Sequence, residues 1–288
     1  MIMVTLAAVA TFLIVRSIPA FFATNETASI IDSNFWAYVG PLIFGTVWVA
    51  LLALLMATPL SIGIALFISH YAPRKLASLL GYIVDLLAAV PSVVFGLWGI
   101  GVLAPAIRPL YVWMNDNLGE IPVLSVIFGG EVSGTGRTIL TAAIVLTVMI
   151  LPIMTAINRE IFLQTPVLHE EASLALGATR WEMIRLAVLP FGRAGIISSA
   201  MLGLGRALGE TMAVAMVLSA TGLVTFRLLN AENPSTIAAN IALVFPEAYG
   251  TNINVLIATG LILFVVTFAV NALARWVVSR RAEFSGAD

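Results

Sequence analysis

Cysteine is absent from this sequence of 288 residues, and histidine occurs only at His70 and His169. A chain without thiols cannot form disulfides, iron–sulfur clusters or a thiolate nucleophile. Two imidazoles are also too few for a histidine-based metal cluster, and no nucleophile lies in a recognisable arrangement with a base. We therefore predict no catalytic residues, no metal ligands and no cofactor bound by this chain.

Charged side chains are scarce as well, at 10% of the residues, whereas 60% are hydrophobic and the mean hydropathy is +1.05. An ordinary soluble domain is about 25% charged, so these charges are too few to cover a water-exposed surface of this size. A hydrocarbon environment removes that requirement. The net charge of −1 gives no field that would attract nucleic acid. The composition therefore predicts an integral membrane protein in contact with lipid.

Apolar segments of spanning length recur along the chain, and a transmembrane helix needs about 20 mostly apolar residues. We predict an all-α, polytopic membrane protein with about six transmembrane helices in a single domain over residues 1–288. The predicted spans are residues 1–23, 40–68, 79–104, 138–157, 194–218 and 252–278. A basic cytoplasmic leader would be expected before the first span. Residues 105–137 are predicted to be a long loop.

Lysine and arginine are distributed unevenly among the segments between these spans. Alternate segments carry nine basic residues on one side, namely Arg74, Lys75, Arg159, Arg180, Arg185, Arg193, Arg275, Arg280 and Arg281. The other side carries four, namely Arg16, Arg108, Arg137 and Arg227. Because cytoplasmic loops are enriched in Lys and Arg, we assign the first group to the cytoplasm. With an even number of spans, both termini are then cytoplasmic.

Three further ionisable residues have simple interpretations under this topology. Asp85 is expected near the cytoplasmic end of the third span, solvated or capping a helix, although an intramembrane carboxylate can also serve in a proton relay. His70 and His169 are expected to be surface residues of cytoplasmic loops.

Residues 158–193 form the longest predicted cytoplasmic segment and have helical periodicity. Near one face lie Leu168, Ala172, Ala175, Leu176 and Ala178, and a second stretch continues with Trp181, Ile184, Ala187 and Val188. Gly177 is expected to end the first helix, and Pro190 to close the second. The pattern predicts a short helix-turn-helix at the membrane surface. An amphipathic hairpin that only rests on lipid has the same pattern.

This hairpin resembles the EAA loop of ABC importer permeases, whose pattern is Glu-Ala-Ala, three residues, Gly, nine residues, Ile, one residue and Leu-Pro. Two positions depart from it, because Ser173 replaces the second alanine and Ala187 the isoleucine. In that family the loop is a coupling helix that docks on the ATP-binding subunit. The resemblance implies that role for Glu170, Glu171, Ala172, Gly177, Ala178, Leu189 and Pro190.

Two opposite charges lie within the predicted fifth span, in the sequence RALGET at residues 206–211. Arg206 and Glu210 are four residues apart, so on a continuous helix they share one face and can pair. Each costs at least about 2.5 kcal/mol to insert at the bilayer centre. They are interpreted either as a structural ion pair that locks two helices, or as a polar lining of an anion path.

The same RALGET sequence resembles the fifth span of phosphate permeases of ABC importers, PstC type, and two further stretches agree. These are VPSVVFG at residues 90–96 and ALGATRWE at residues 175–182. The resemblance implies a permease subunit of a phosphate importer in the bacterial inner membrane. It also implies an ATP-binding subunit dimer, a PstA-type permease and an extracytoplasmic phosphate-binding protein as partners. Arg206 would attract the anion, and Glu210 would hold Arg206 in place.

Residues 129–137, GGEVSGTGR, do not match a phosphate-binding loop, because the terminal Gly-Lys is replaced by Gly136-Arg137 and the glycine five residues earlier by Glu131. The chain has no Walker motif, so ATP would be used by the partner subunit. A permease for another oxyanion, such as sulfate or molybdate, would share the coupling loop. An ion-coupled secondary carrier needs no such hairpin and often contains an internal repeat.

The predicted topology is testable because the chain contains no native cysteine. With Ala172→Cys as the sole thiol, a membrane-impermeant maleimide should label the protein in inverted vesicles and leave it unlabelled in intact cells. Glu120→Cys, in the predicted external loop, is the control that should react in intact cells. Labelling of position 172 from outside would overturn the cytoplasmic assignment of the hairpin.

Overall fold

A computed structural model describes residues 2–219 and 221–282, and the predicted all-α fold is confirmed. Among these residues there is no β-strand, and an isolated bridge joins Thr24 and Asn34. The α-helices are α1 (Ile2–Phe21), α2 (Phe35–Leu66), α3 (Arg74–Ala88), α4 (Ser92–Trp98), α5 (Ala104–Leu118), α6 (Ser125–Phe128), α7 (Ile139–Leu163), α8 (Val167–Ala175), α9 (Arg180–Met183), α10 (Leu189–Leu208), α11 (Met212–Val217), α12 (Ile237–Val244) and α13 (Thr251–Ala282).

Five helical segments in the described part of the chain are long and apolar enough to cross a membrane. They are Phe35–Tyr71, Ser92–Leu118, Ile139–Leu163, Arg180–Leu208 and Thr251–Leu273. The predicted first span is also helical, but its apolar stretch, Ala7–Phe21, is shorter. A π-helical turn joins two α-helices at Gly99–Leu103 and at Ile184–Val188, and a third such turn, Phe67–Tyr71, ends the segment that begins with α2.

The predicted bounds of the third span are wrong. The helix that covers residue 79 ends at Ala88, and Pro91 has no N–H with which to continue a helical ladder. A new helix begins at Ser92 and continues through the π turn to Leu118, well inside the predicted loop 105–137. Hydropathy is continuous across residues 79–104, so it did not reveal this break.

The hairpin at residues 158–193 is confirmed as two helices, although its second helix does not close at Pro190. Instead, α9, the π turn and α10 form one continuous helical segment, Arg180–Leu208. Pro190 cannot donate to the carbonyl of Leu186. Just before it, the amide of Leu189 donates to the carbonyl of Ile184, five residues earlier. The proline therefore lies where the helical ladder changes register.

The chain divides into two compact units, and four of the helices contribute residues to both. The first unit comprises residues 1–50, 92–145 and 208–270, and the second comprises residues 51–91, 146–207 and 271–288. In the first unit, one apolar core includes Ala20, Ala23, Ala28, Ile31, Phe35, Val39, Val255 and Ala258. This core packs the end of α1 and the following loop against α2 and α13.

Three polar side chains form a buried hydrogen-bonded group in the second unit. Asn158 on α7 donates through Nδ2 to Ser61 Oγ on α2 at 3.2 Å. Ser199 Oγ on α10 donates to Asn158 Oδ1 at 2.7 Å. All three residues are fully buried. Lipid supplies no hydrogen-bonding partners that could replace these bonds. The group therefore links three helices, α2, α7 and α10.

We expect Ser199→Ala to lower the free energy of unfolding in detergent by about 1 kcal/mol, the usual contribution of one interhelical hydrogen bond. Ser198→Ala is the matched control, because the exposed Ser198 hydroxyl donates to the carbonyl of Ala194 on its own helix and to no other described residue. The measurement is a chemical unfolding curve for each variant. Equal stabilities of the two variants would contradict the role assigned to the buried group.

Candidate functional site

The turn of the hairpin is fixed by two local motifs that follow each other directly. Gly177 has φ +88°, in the left-handed region that glycine adopts most readily. Its amide donates to the carbonyl of Leu174, and the amide of Ala178 donates to that of Ser173. These two bonds are the Schellman arrangement that ends a helix. The turn geometry thus agrees with the prediction that Gly177 ends the first helix of the hairpin.

The second helix of the hairpin then starts with a capping box. Thr179 Oγ1 accepts from the amide of Glu182, and the Glu182 carboxylate accepts from the amide of Thr179 at 2.7 Å. This reciprocal pair satisfies amide groups that the first turn of a helix leaves free. One helix is therefore terminated and the next started within residues 176–179, which gives a tight and well-defined corner.

A small apolar core seats the hairpin on the long helices of the second unit. The buried residues of this core come from α2, α7 and the hairpin. They are Ala65 and Leu66, Phe162, and Met183, Ile184 and Val188, respectively. Leu189, one of the predicted coupling residues, packs against this core. The contacts connect the base of the hairpin to α2 and α7.

A side-chain contact provides a second connection, between the hairpin and the π turn that follows α2. His70 Nε2 lies 3.3 Å from Glu170 Oε1, and its side chain is only 9% exposed. Ser69 Oγ lies 2.7 Å from His70 Nδ1 on the other side of the ring. The prediction that His70 is a surface residue is therefore wrong, because the π turn directs its ring against α8. Glu170, a predicted coupling residue, has its partner within this chain.

The hairpin exposes large apolar side chains at the start of α8 and at the corner. Leu168 is 76% exposed and Leu176 is 90% exposed, and the predicted coupling residues Glu171 and Ala172 are exposed beside them. A groove of about 660 Å³ follows the corner. It is lined by Ser173, Leu176, Gly177, Ala178, Glu182, Arg185 and Leu186. The hairpin thus presents an apolar surface with a charged border.

The expected pair of Arg206 and Glu210 is not formed. The helix that carries Arg206 ends at Leu208, so the four-residue spacing no longer places both side chains on one face. Glu210 is buried, and its Oε1 accepts from the amide of Ala213 at 3.0 Å. The Nε of Arg206 is buried without a hydrogen-bonding partner among the described residues.

In the first unit, the end of the VPSVVFG stretch packs against α11, the short helix that follows the RALGET sequence. A Cβ at Gly96, the end of VPSVVFG, would lie 3.0 Å from the Cα of Ala213 and 2.9 Å from Met216 Sδ. Glycine therefore allows α4 to pack closely on α11, the short helix that the Glu210 carboxylate caps. This contact joins residues more than a hundred positions apart in the chain.

Arg137 and Asn233 are structural residues that the sequence did not single out. The Arg137 guanidinium donates to the carbonyls of Met216, Val217 and Leu218 at the end of α11. Asn233 is fully buried; its side chain accepts from the amide of Ile139 and donates to the carbonyls of Asn230 and Ala231. Together they satisfy backbone groups where the chain leaves its helical form.

Within the described residues, no group of three or more His, Asp or Glu side chains is placed to hold a metal ion. The predicted site residues thus lie on the hairpin and at Arg206 in the second unit, and at Glu210 in the first.

Comparison with known proteins gives consistent results. Residues 57–283 match the family described as binding-protein-dependent transport system inner membrane component. Proteins of Mycobacterium bovis and Mycobacterium tuberculosis, each named phosphate transport system permease protein PstC 2, are 46% identical to 95% of this chain over 86% of their length. The PstC protein of Mycobacterium leprae is 43% identical over 95% of this chain and 88% of its own.

A solved structure has the same fold at low sequence identity. It is a bacterial ABC transporter involved in the import of the acidic polysaccharide alginate, with a TM-score of 0.59 and 17% identity. The match covers 83% of this chain and 78% of the other. Together with the family match and the close relatives, it shows that the chain belongs to the binding-protein-dependent transport system inner membrane component family, the multi-pass permease subunits of ABC importers.

Proposed function

We propose that this chain is the permease subunit of an ATP-driven phosphate importer in the bacterial inner membrane. The observation that carries the proposal is the 46% identity, over 95% of the chain, to proteins named as phosphate transport system permeases. The relatives described above are named for phosphate and not for sulfate or molybdate. Membership of a binding-protein-dependent family removes the support for an ion-coupled secondary carrier.

The partners follow from this assignment. An ATP-binding subunit dimer would dock on the hairpin at the cytoplasmic side, where exposed Leu168 and Leu176 offer an apolar contact. A PstA-type permease would complete the translocation path, and an extracytoplasmic binding protein would deliver phosphate. With an even number of spans, both termini would lie in the cytoplasm, in agreement with the distribution of basic residues.

The structure of the hairpin suits the transmission of rigid-body motion. When the ATPase dimer closes, it would move the corner at Gly177 as a unit, because two capping motifs fix that corner. The buried core around Phe162 and Ile184, with the contact of His70 and Glu170, would pass the displacement to α2 and α7. Alternating access would then follow from movement of whole helices.

Arg206 is the residue best suited to attract the anion. Its buried Nε has no partner among the described residues, so a phosphate oxygen would satisfy a donor that the protein leaves open. A planar guanidinium also matches the geometry of phosphate oxygens. Glu210 contributes differently from the initial expectation, because its carboxylate caps α11 and so fixes the break that follows Arg206.

Gly177→Pro tests the coupling role, since proline holds φ near about −65° and is incompatible with +88° at this position. We expect insertion to be normal, and phosphate uptake to be lost or separated from ATP hydrolysis. Gly177→Asn is the control, because asparagine tolerates the left-handed conformation and should retain uptake. Wild-type uptake by the proline variant would remove the docking role from the hairpin.

Arg206→Met tests the anion path. We expect uptake to fall at least about tenfold, because a hydrogen bond to a charged group contributes about 1.5–3 kcal/mol. Arg206→Lys keeps the charge without the planar fork and should transport poorly.

The double variant Arg206→Met with Glu210→Gln should assemble and still fail to transport. Arg193→Met, at an exposed position of the same helix, is the control. Near-normal phosphate uptake by the assembled double variant would show that Arg206 is structural.

A further inference from the structure

A polar cavity of about 450 Å³ lies in the second unit, at the end of α2 and α7 and against α3. None of the predicted site residues lines it. Its walls include Arg74, Ser78 and Asp85 from α3, and Arg159 from α7. By the distribution of basic residues, this end of the helices is the cytoplasmic one.

The guanidinium of Arg159 is held against the cavity wall by close packing. A Cβ at Gly81 would lie 2.8 Å from Arg159 Nη1 and 3.0 Å from its Cζ, so the absence of a side chain leaves room for the flat group. Arg159 is half-buried and makes no hydrogen bond or ion pair with any other described residue. A partly desolvated cation without a partner is costly, and an anion in the cavity would offset that cost.

Two further features make the cavity electropositive. Arg74 is the first residue of α3, and no side chain caps this 15-residue helix, so its first amides and the positive end of its dipole remain available. The hydroxyl of Ser78, one turn along, is a further donor. Asp85 is the single acidic residue in the lining; it forms no ion pair among the described residues, and the two arginines leave an excess of positive charge.

We propose that this cavity binds a phosphate group, carried either by the headgroup of an anionic phospholipid or by free inorganic phosphate. Arginine forks, helix amides and a hydroxyl are the donors that phosphate oxygens prefer. A lipid source suits the neighbouring apolar stripe of α3, where Leu79 is 55% and Leu86 is 71% exposed. An inorganic source suits the aqueous face of the same cavity. The site is separate from Arg206 and does not depend on the proposed transport function.

The test measures two probes on the purified, delipidated chain in detergent. One is radiolabelled inorganic phosphate at equilibrium, and the other is the amount of added phosphatidylglycerol that is retained per chain. We expect wild type to bind at least one probe, and Arg159→Gln and Arg74→Gln each to weaken that binding at least about tenfold, as expected for a charged hydrogen bond. Gly81→Ala should weaken it as well, because the new methyl group displaces the guanidinium without removing charge.

Lys75→Gln is the matched control, because Lys75 is exposed next to Arg74 and does not line the cavity. Loss of phosphatidylglycerol retention alone would identify a lipid headgroup site, and loss of inorganic phosphate binding alone would identify a site for the free anion. If neither probe distinguishes wild type from the Arg74, Gly81 and Arg159 variants, or if Lys75→Gln reduces binding as much as they do, the proposal is wrong.

Discussion

Backbone polar groups that lie in hydrocarbon must find their partners within the protein, and the other features of this chain depend on that constraint. Long helices meet it automatically, but the chain is not helical over residues 218–219 and 221–236. There the structure uses Asn233 and Arg137, whose side chains bind backbone groups at the helix ends. Few polar residues are available in this sequence, and several are used to satisfy backbone groups where a helix stops.

The hairpin combines local and tertiary determinants in a way that suits a mechanical part. Its corner is fixed by contacts within a few residues, from Gly177 to Glu182. Its base is fixed by the core around Phe162 and Ile184 and by the hydrogen-bonding contact of His70 and Glu170. At the corner itself, the apolar side chain of Leu176 is left 90% exposed. A rigid element with one bound end and one free apolar end is what transmission between two subunits requires.

The sequence predicted those features whose causes are local. The helical periodicity and the position of Gly177 were sufficient to predict the hairpin, and hydropathy was sufficient to predict most of the spans. The sequence-based prediction was wrong where a helix ends inside an apolar stretch. Hydropathy does not change at the break before Ser92 or at the end of α10 at Leu208. The second of these breaks invalidated the spacing argument for Arg206 and Glu210. Contacts such as Asn233 with Arg137, 96 positions apart, depend on the folded chain and cannot be inferred from one sequence.

The three π turns have a consequence for how this chain tolerates insertion and deletion. In each, an amide donates five residues back, as from Leu189 to Ile184, so one residue more than an α-helical turn is accommodated. Each residue corresponds to about 100° of rotation. Deleting one residue between Ile184 and Val188 would restore α-helical geometry and rotate the hairpin by about that angle relative to α10. Its apolar tip would then face a different direction, although every remaining side chain was unchanged.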